Sequence, residues 1–286
     1  MYGTTLTAPQ TGINTPRSSQ SLRPLILSHG SLDFSFLVPT SIHFHASQLK
    51  DSFTASLPQP TDELAQDEEP SSVAELVARY IAHIAHEVEE GEDDAQGSYL
   101  EVLKLALNEF ERAFMRGNDV HAVAAALPGI SAKRVLVVRA YYAGRAAAGR
   151  ATKPYDSALF RAASEEKASI YSVFGGQGNI EEYFDELREI YTTYPSFVED
   201  LIHSSADLLQ SLSHDPEASK LYPKGLDVVR WLQDSDSQPD TDYLVSAPVS
   251  FPLIGLVQFA HFMVTCKVLG REPGEVLERF NGTTGH

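Results

Sequence analysis

Residues 174–179 read FGGQGN, and their types and spacing concentrate more chemical potential than any other stretch of the chain. Glycines at 175, 176 and 178 allow positive φ angles and let another group approach the backbone. The residues that follow have apolar side chains at Ile180, Tyr183, Phe184, Leu187 and Ile190, the spacing of a helix. A helix start leaves backbone N–H groups without intrahelical acceptors and carries partial positive charge. Such a corner suits an oxyanion, either a phosphate or the oxygen of a tetrahedral acyl intermediate. As a dinucleotide fingerprint the run is incomplete, because Glu181 stands where the third glycine belongs. Residues 191–215 also read as helix, not as the strand and ribose-binding acid that fingerprint requires. On the motif alone, a phosphate site, an oxyanion site and a plain tight turn all stay open.

The elements that must hold this corner follow from the flanking pattern. Residues 168–174 are rich in β-branched and aromatic side chains, the composition of a short buried strand, so the unit reads as strand, turn, helix. Before it, residues 22–28 and 31–38 form two short strands meeting at His29-Gly30. In the second, Leu32, Phe34, Phe36 and Val38 alternate with Ser31, Asp33, Ser35 and Leu37. Residues 41–57 read as a helix. Ser72 and Glu75 have capping-box spacing at the head of a helix reaching about Val88. Residues 89–94 are a charged loop, and residues 99–115 carry Leu100, Leu103, Leu107, Phe110 and Phe114 on one face. Asp119 and Ser131 cap two further helices. After the corner come helices at 179–191, 196–212, 225–232, 249–269 and 273–280. The expected organisation is a flexible arm (1–21), a hairpin with a mostly helical subdomain (22–150) and a second unit (151–286).

Composition bounds the function classes. A net charge of −17 argues against nucleic-acid binding through the bulk surface. One cysteine, Cys266, excludes an internal disulfide and fits a reducing, cytoplasmic compartment. The first residues lack the apolar core of a secretory signal. The longest apolar segment, 249–269, is interrupted by Pro252, Gln258, His261 and Lys267, which reads as a buried core helix and not a membrane span. His43 with His45, and His83 with His86, have no cysteine or carboxylate to complete a metal site, so no metal is expected. His261 reads as a hydrogen-bonded core residue and Cys266 as a buried, inert thiol.

A series of short motifs, in order along the chain, resembles the N-terminal, acetyltransferase-bearing region of the fungal fatty acid synthase β subunit. The series runs through residues 27–30 (LSHG), 37–40 (LVPT), 46–49 (ASQL), 117–121 (GNDVH), 157–161 (SALFR) and 174–179 (FGGQGN). It continues through 183–188 (YFDELR), 240–244 (DTDYL), 252–255 (PLIG) and 283–286 (TTGH). The resemblance implies an α/β fold: a mostly helical N-terminal subdomain, then the first part of a malonyl/acyl-transferase-like, α/β-hydrolase-like core with a parallel sheet. It implies transfer of acetyl from acetyl-CoA, through a serine ester, to the phosphopantetheine thiol of an acyl carrier protein, with no cofactor bound in this segment. It assigns Gln177 to the oxyanion-hole region, Gly176 and Gly178 to the acyl-binding space, and His286 to a supporting place beside the nucleophile. That nucleophile is a serine in a Gly-His-Ser-x-Gly pattern. The final Gly285-His286 stands immediately before its place, so the resemblance implies a piece truncated just before the nucleophile and inactive in isolation. Partners implied are the synthase α subunit, further β chains and the carrier protein. Alternatives are a non-catalytic docking piece of such an assembly and a starter-unit acyltransferase of a fungal polyketide synthase.

Overall fold

The computed structural model describes residues 21–58, 69–91, 93–128, 131–154, 156–175 and 182–285. Strands β1 (Leu22–His29) and β2 (Leu32–Pro39) form an antiparallel hairpin in which Leu25 faces Phe36 and Leu27 faces Phe34. Gly30, at φ +56°, opens the two-residue turn, a position that favours glycine because L-residues avoid that region. The alternation read from the sequence holds: Phe36 and Val38 are buried while Asp33, Ser35 and Leu37 face outward.

Behind the hairpin lie α1 (His43–Ser56), α2 (Val73–Glu90), α3 (Asp93–Phe114), α4 (Val120–Ala125) and α5 (Ser131–Ala147). Their inward faces and the hairpin share one apolar core that includes Leu27, Leu49, Tyr80, Leu103 and Phe110. The spacing at Ser72 does start α2, but with altered wiring. Ser72 Oγ accepts from Glu75 N at 3.1 Å, while the Glu75 carboxylate reaches Ser71 N and Oγ and binds Arg79. Burial explains the change, since a fully buried carboxylate takes every donor within reach. The charged loop expected at 89–94 shrinks to the break at Gly91, because α2 runs to Glu90 and α3 begins at Asp93. Gln96 Nε2 donates to Val88 O at 2.9 Å and holds the two helices at that break.

The remainder comprises α6 (Ala158–Ser164), β3 (Tyr171–Phe174), α7 (Glu182–Thr193), α8 (Pro195–Ser213), α9 (Val228–Gln233), α10 (Thr241–Leu244), α11 (Ala247–Leu269), α12 (Pro273–Leu277) and β4 (Gly282–Gly285). A second core gathers Phe184, Leu187, Ile202, Trp231, Leu244 and Leu253 from α7 to α11, and a third, small one joins Phe160, Ile170, Cys266 and Val276. Among the described residues the fold is therefore mostly helical with two small sheets, one of them a parallel pair. Two expectations of burial are corrected. Strand β3 is not buried: Tyr171 and Val173 are 66% and 72% exposed, because helices cover only its Ser172 and Phe174 face. Helix α11 is long and apolar enough to cross a membrane by length and composition, and 39% of that window is buried. Its core face packs into the second cluster while Phe251 and Phe259 remain 60% and 68% exposed.

Candidate site at the paired ends of β3 and β4

Strands β3 and β4 run parallel, more than a hundred residues apart in sequence, with Tyr171 opposite Gly282 and Phe174 opposite Gly285. Parallel strands need a crossover, and α7 to α12 supply it. The register is fixed at its entry. Ile170 N donates to Asn281 Oδ1 at 2.9 Å, and Asn281 N donates to Ile170 O at 2.7 Å. With that pin in place, Gly175 and Gly285 leave the same end of the pair. Side by side at the carboxyl ends of parallel strands is where open α/β sheets bind ligands. The sequence-derived site residues Gly176, Gln177, Gly178 and His286 lie outside the described residues; the strands that lead into them are brought together.

A cleft of about 470 Å³ runs beneath this end, between β3, α7 and α11. Two side chains anchor helix α7 to its neighbours. Tyr183 Oη donates to Leu244 O at 2.8 Å, and burial pushes this phenol well above its ordinary range. Arg188 Nη2 donates to Trp231 O at 2.9 Å, and its guanidinium lies over the Phe184 ring. Helix α11 faces the cleft with Gln258, His261 and Thr265. Gln258 Nε2 donates to the carbonyl of Gly175, the last described residue before Gly176. His261 Nε2 pairs with Glu186 Oε1 at 2.7 Å across to α7. Ser172 Oγ, on the covered face of β3, is buried with no hydrogen-bond partner among the described residues.

His261 thus corrects the sequence reading. It is hydrogen-bonded, but it is half exposed at the cleft and not in a core. Gln258 and Glu186 were missed as site residues. The signal was present: positions 258, 261 and 265 are the polar residues of one face of an otherwise apolar helix, at i, i+3 and i+7. A polar stripe in such a helix marks a face turned to something other than the core. Cys266 fits its reading, since the thiol is buried and burial pushes its pKa up. His83 shares a 2.8 Å hydrogen bond with Ser52, and His86 lies 3.3 Å from Glu90. No group of three metal-binding side chains exists among the described residues.

Comparison with known proteins bears on both halves. Residues 21–148 match the family described as the N-terminal domain in fatty acid synthase subunit beta. Residues 172–283 match the family described as starter unit:ACP transacylase in aflatoxin biosynthesis. The chain is 44% identical over 272 residues to the fatty acid synthase subunit beta of Saccharomyces cerevisiae, covering 93% of this chain. It is 41% identical over 272 residues to the fatty acid synthase beta subunit TOXC of Cochliobolus carbonum, and 41% identical over 267 residues to the Schizosaccharomyces pombe subunit. In each case it spans 13% of the relative's length. The two consecutive family matches, and identity sustained across nearly the whole chain, mean that it belongs to the fungal fatty acid synthase β subunits, as their N-terminal region.

Proposed function

We propose that this chain supplies the oxyanion side of an acyltransferase site that primes fatty acid synthesis with acetyl groups. The observation that carries the reading is the parallel β3–β4 pair, which sets the strand ending at Phe174 beside the strand ending at Gly285. In the proposed reaction a serine Oγ attacks the thioester carbonyl of acetyl-CoA. A histidine takes the hydroxyl proton and returns it to the departing thiolate, and the same steps in reverse pass acetyl to a carrier phosphopantetheine thiol. The carbonyl oxygen becomes an oxyanion in the transition state. The backbone N–H at Gln177 faces that oxygen, and Gly176 and Gly178 leave room for the acyl group. One such donor typically contributes about 3–4 kcal/mol. Gln258 holds the entry to the turn through the Gly175 carbonyl. His286 supports the neighbouring nucleophile.

None of the serines in this sequence stands in a Gly-His-Ser-x-Gly pattern. The 286 residues alone therefore form no acetyl-enzyme, and the segment works as part of a cytoplasmic assembly with α subunits, other β chains and a carrier protein. The match of residues 172–283 to a starter-unit transacylase favours one second reading, a starter-unit acyltransferase of a polyketide synthase, whose acyl group is other than acetyl. The test is a chimera in which this chain replaces the matching 272-residue span of the S. cerevisiae subunit. The expected result is acetyl loading from acetyl-CoA onto pantetheine, with hexanoyl-CoA a poor competitor. Preferential hexanoyl loading would favour the second reading. An assembled chimera that loads neither would refute both.

A further inference from the structure

A second cleft, of about 550 Å³, opens where the end of α5 meets the end of α11. Its wall carries Arg145 and Arg150 from the first core's side, and Lys267 and Arg271 from the other. Four of the chain's 22 basic residues gather at one concavity, in a protein of net charge −17. The backbone enforces the gathering. Gly270, at φ +62°, ends α11, and a Cβ there would sit 2.5 Å from Thr152 O, so only glycine lets the 150–153 segment close on the helix end.

Part of this charge is already used. Arg145 binds Glu111, Tyr141 Oη and Ala151 O, and Arg271 pairs with Asp156 at 2.8 Å. What is left over points to an absent acceptor. The Nε–H of Arg271 is buried with no hydrogen-bond partner among the described residues, an arrangement that ordinarily costs stability. Arg150 spends one donor on Lys104 O and has no carboxylate partner among the described residues. Lys267 is exposed, and its ammonium has neither a hydrogen bond nor an ion pair among them. Glu272 on the rim offsets one of these two charges.

We propose that this cleft binds a diphosphate, with Arg150 and Lys267 as its charged donors. Phosphoryl oxygens accept from several directions at once, matching guanidinium and ammonium donors that converge from opposite walls. The volume exceeds what a single phosphate fills, and Tyr142, Phe197 and Met263 give an apolar floor for an organic substituent. A ligand touching Arg150 and Lys267 also joins residues from the two sides of the junction, so binding raises the melting temperature of the chain. The site is independent of the acyl-transfer reading.

The experiment is calorimetric titration of the 286-residue chain with inorganic pyrophosphate and, separately, with ADP. Saturable binding of either is expected, and tighter binding of ADP assigns the floor to an organic diphosphate, whereas equal binding assigns the site to the free anion. Lys267→Glu weakens binding at least tenfold, while Lys220→Glu, an exposed change of identical charge outside the cleft, leaves it within twofold. No saturable binding of pyrophosphate or ADP would overturn the proposal. So would equal loss in the two variants, which would reduce the effect to bulk charge. Unchanged circular dichroism in both variants keeps the comparison free of unfolding.

Discussion

Replacing Asn281 with alanine tests how the two glycine ends are held together. The β3–β4 sheet has four residue pairs and two strands, a size that is marginal without added support. Its register is set by the reciprocal bonds between Asn281 and Ile170, at 2.9 and 2.7 Å. Asn281→Ala removes the side-chain acceptor and leaves the N–H of Ile170, a residue only 9% exposed, without a partner. Leaving a buried donor unmatched costs about 1–3 kcal/mol, and the position at the open end of the ladder puts the figure near 1–2. With about 1.4 kcal/mol per factor of ten, amides of β3 and β4 should exchange roughly five- to thirtyfold faster. Native-state hydrogen exchange read by mass spectrometry over residues 170–174 and 281–285 measures this, with the β1–β2 hairpin as internal reference. Asn281→Asp keeps an acceptor and should recover most of the protection. Unchanged exchange in the alanine variant, or equal acceleration in the hairpin, would refute the pinning argument.

Three further outcomes follow from packing and charge. A Cβ at Gly144 would sit 2.4 Å from Cγ2 of the fully buried Ile81, so Gly144→Ala overpacks the α2–α5 contact despite its better helix propensity. A net loss of about 0.5–2 kcal/mol is expected in urea denaturation. Arg79→Met leaves the Glu75 carboxylate, 0% exposed, with only its Ser71 donors, and should cost about 3 kcal/mol by the same assay; adding Glu75→Gln recovers part of it. Burial lowers the pKa of His121, against the weaker opposing pull of Asp119, while the ring bonds Tyr194 Oη at 3.0 Å. The unfolded chain then binds the proton more readily. The contribution is complete above the ordinary value of about 6.5 and is lost as pH falls from there through the lowered folded value. His83, also lowered by burial, adds in the same direction. Denaturation midpoints at pH 7.5 and pH 5 should therefore converge in His121→Gln relative to the parent, and an identical pH loss in the two would contradict the assignment.

Much of this arrangement was legible because local chemistry and tertiary context agree. The alternation in β2, the Asp119 cap and the apolar face of α7 all survive, since each needs only a period or a side-chain oxygen at one position. A parallel sheet was legible only through the ordered family motifs, and its second strand was not legible from its residues, because a four-residue GTTG strand has no pattern of its own. The start of α3 was misplaced because acidic residues read as loop by composition, yet a helix can begin among them. The exposure of β3 was invisible, since β-branched and aromatic residues announce a strand without saying how many of its faces are covered. The polar stripe of Gln258, His261 and Thr265 was present in the sequence, but only the placement of α7 and β3 gives it a partner.

The central claim is that a backbone N–H at Gln177, and not its side chain, faces the developing oxyanion. Its direct measurement is single-turnover acetyl transfer by the chimera carrying Gln177→Pro or Gln177→Ala. Proline deletes that N–H, so the rate should fall about a hundred- to a thousandfold with acetyl-CoA affinity nearly unchanged. Alanine keeps the N–H and should stay within tenfold of the parent. Hydrogen exchange over residues 170–174 confirms that β3 stays paired in the proline variant. Equal, small effects of the two substitutions, with the strand intact, would contradict the oxyanion role.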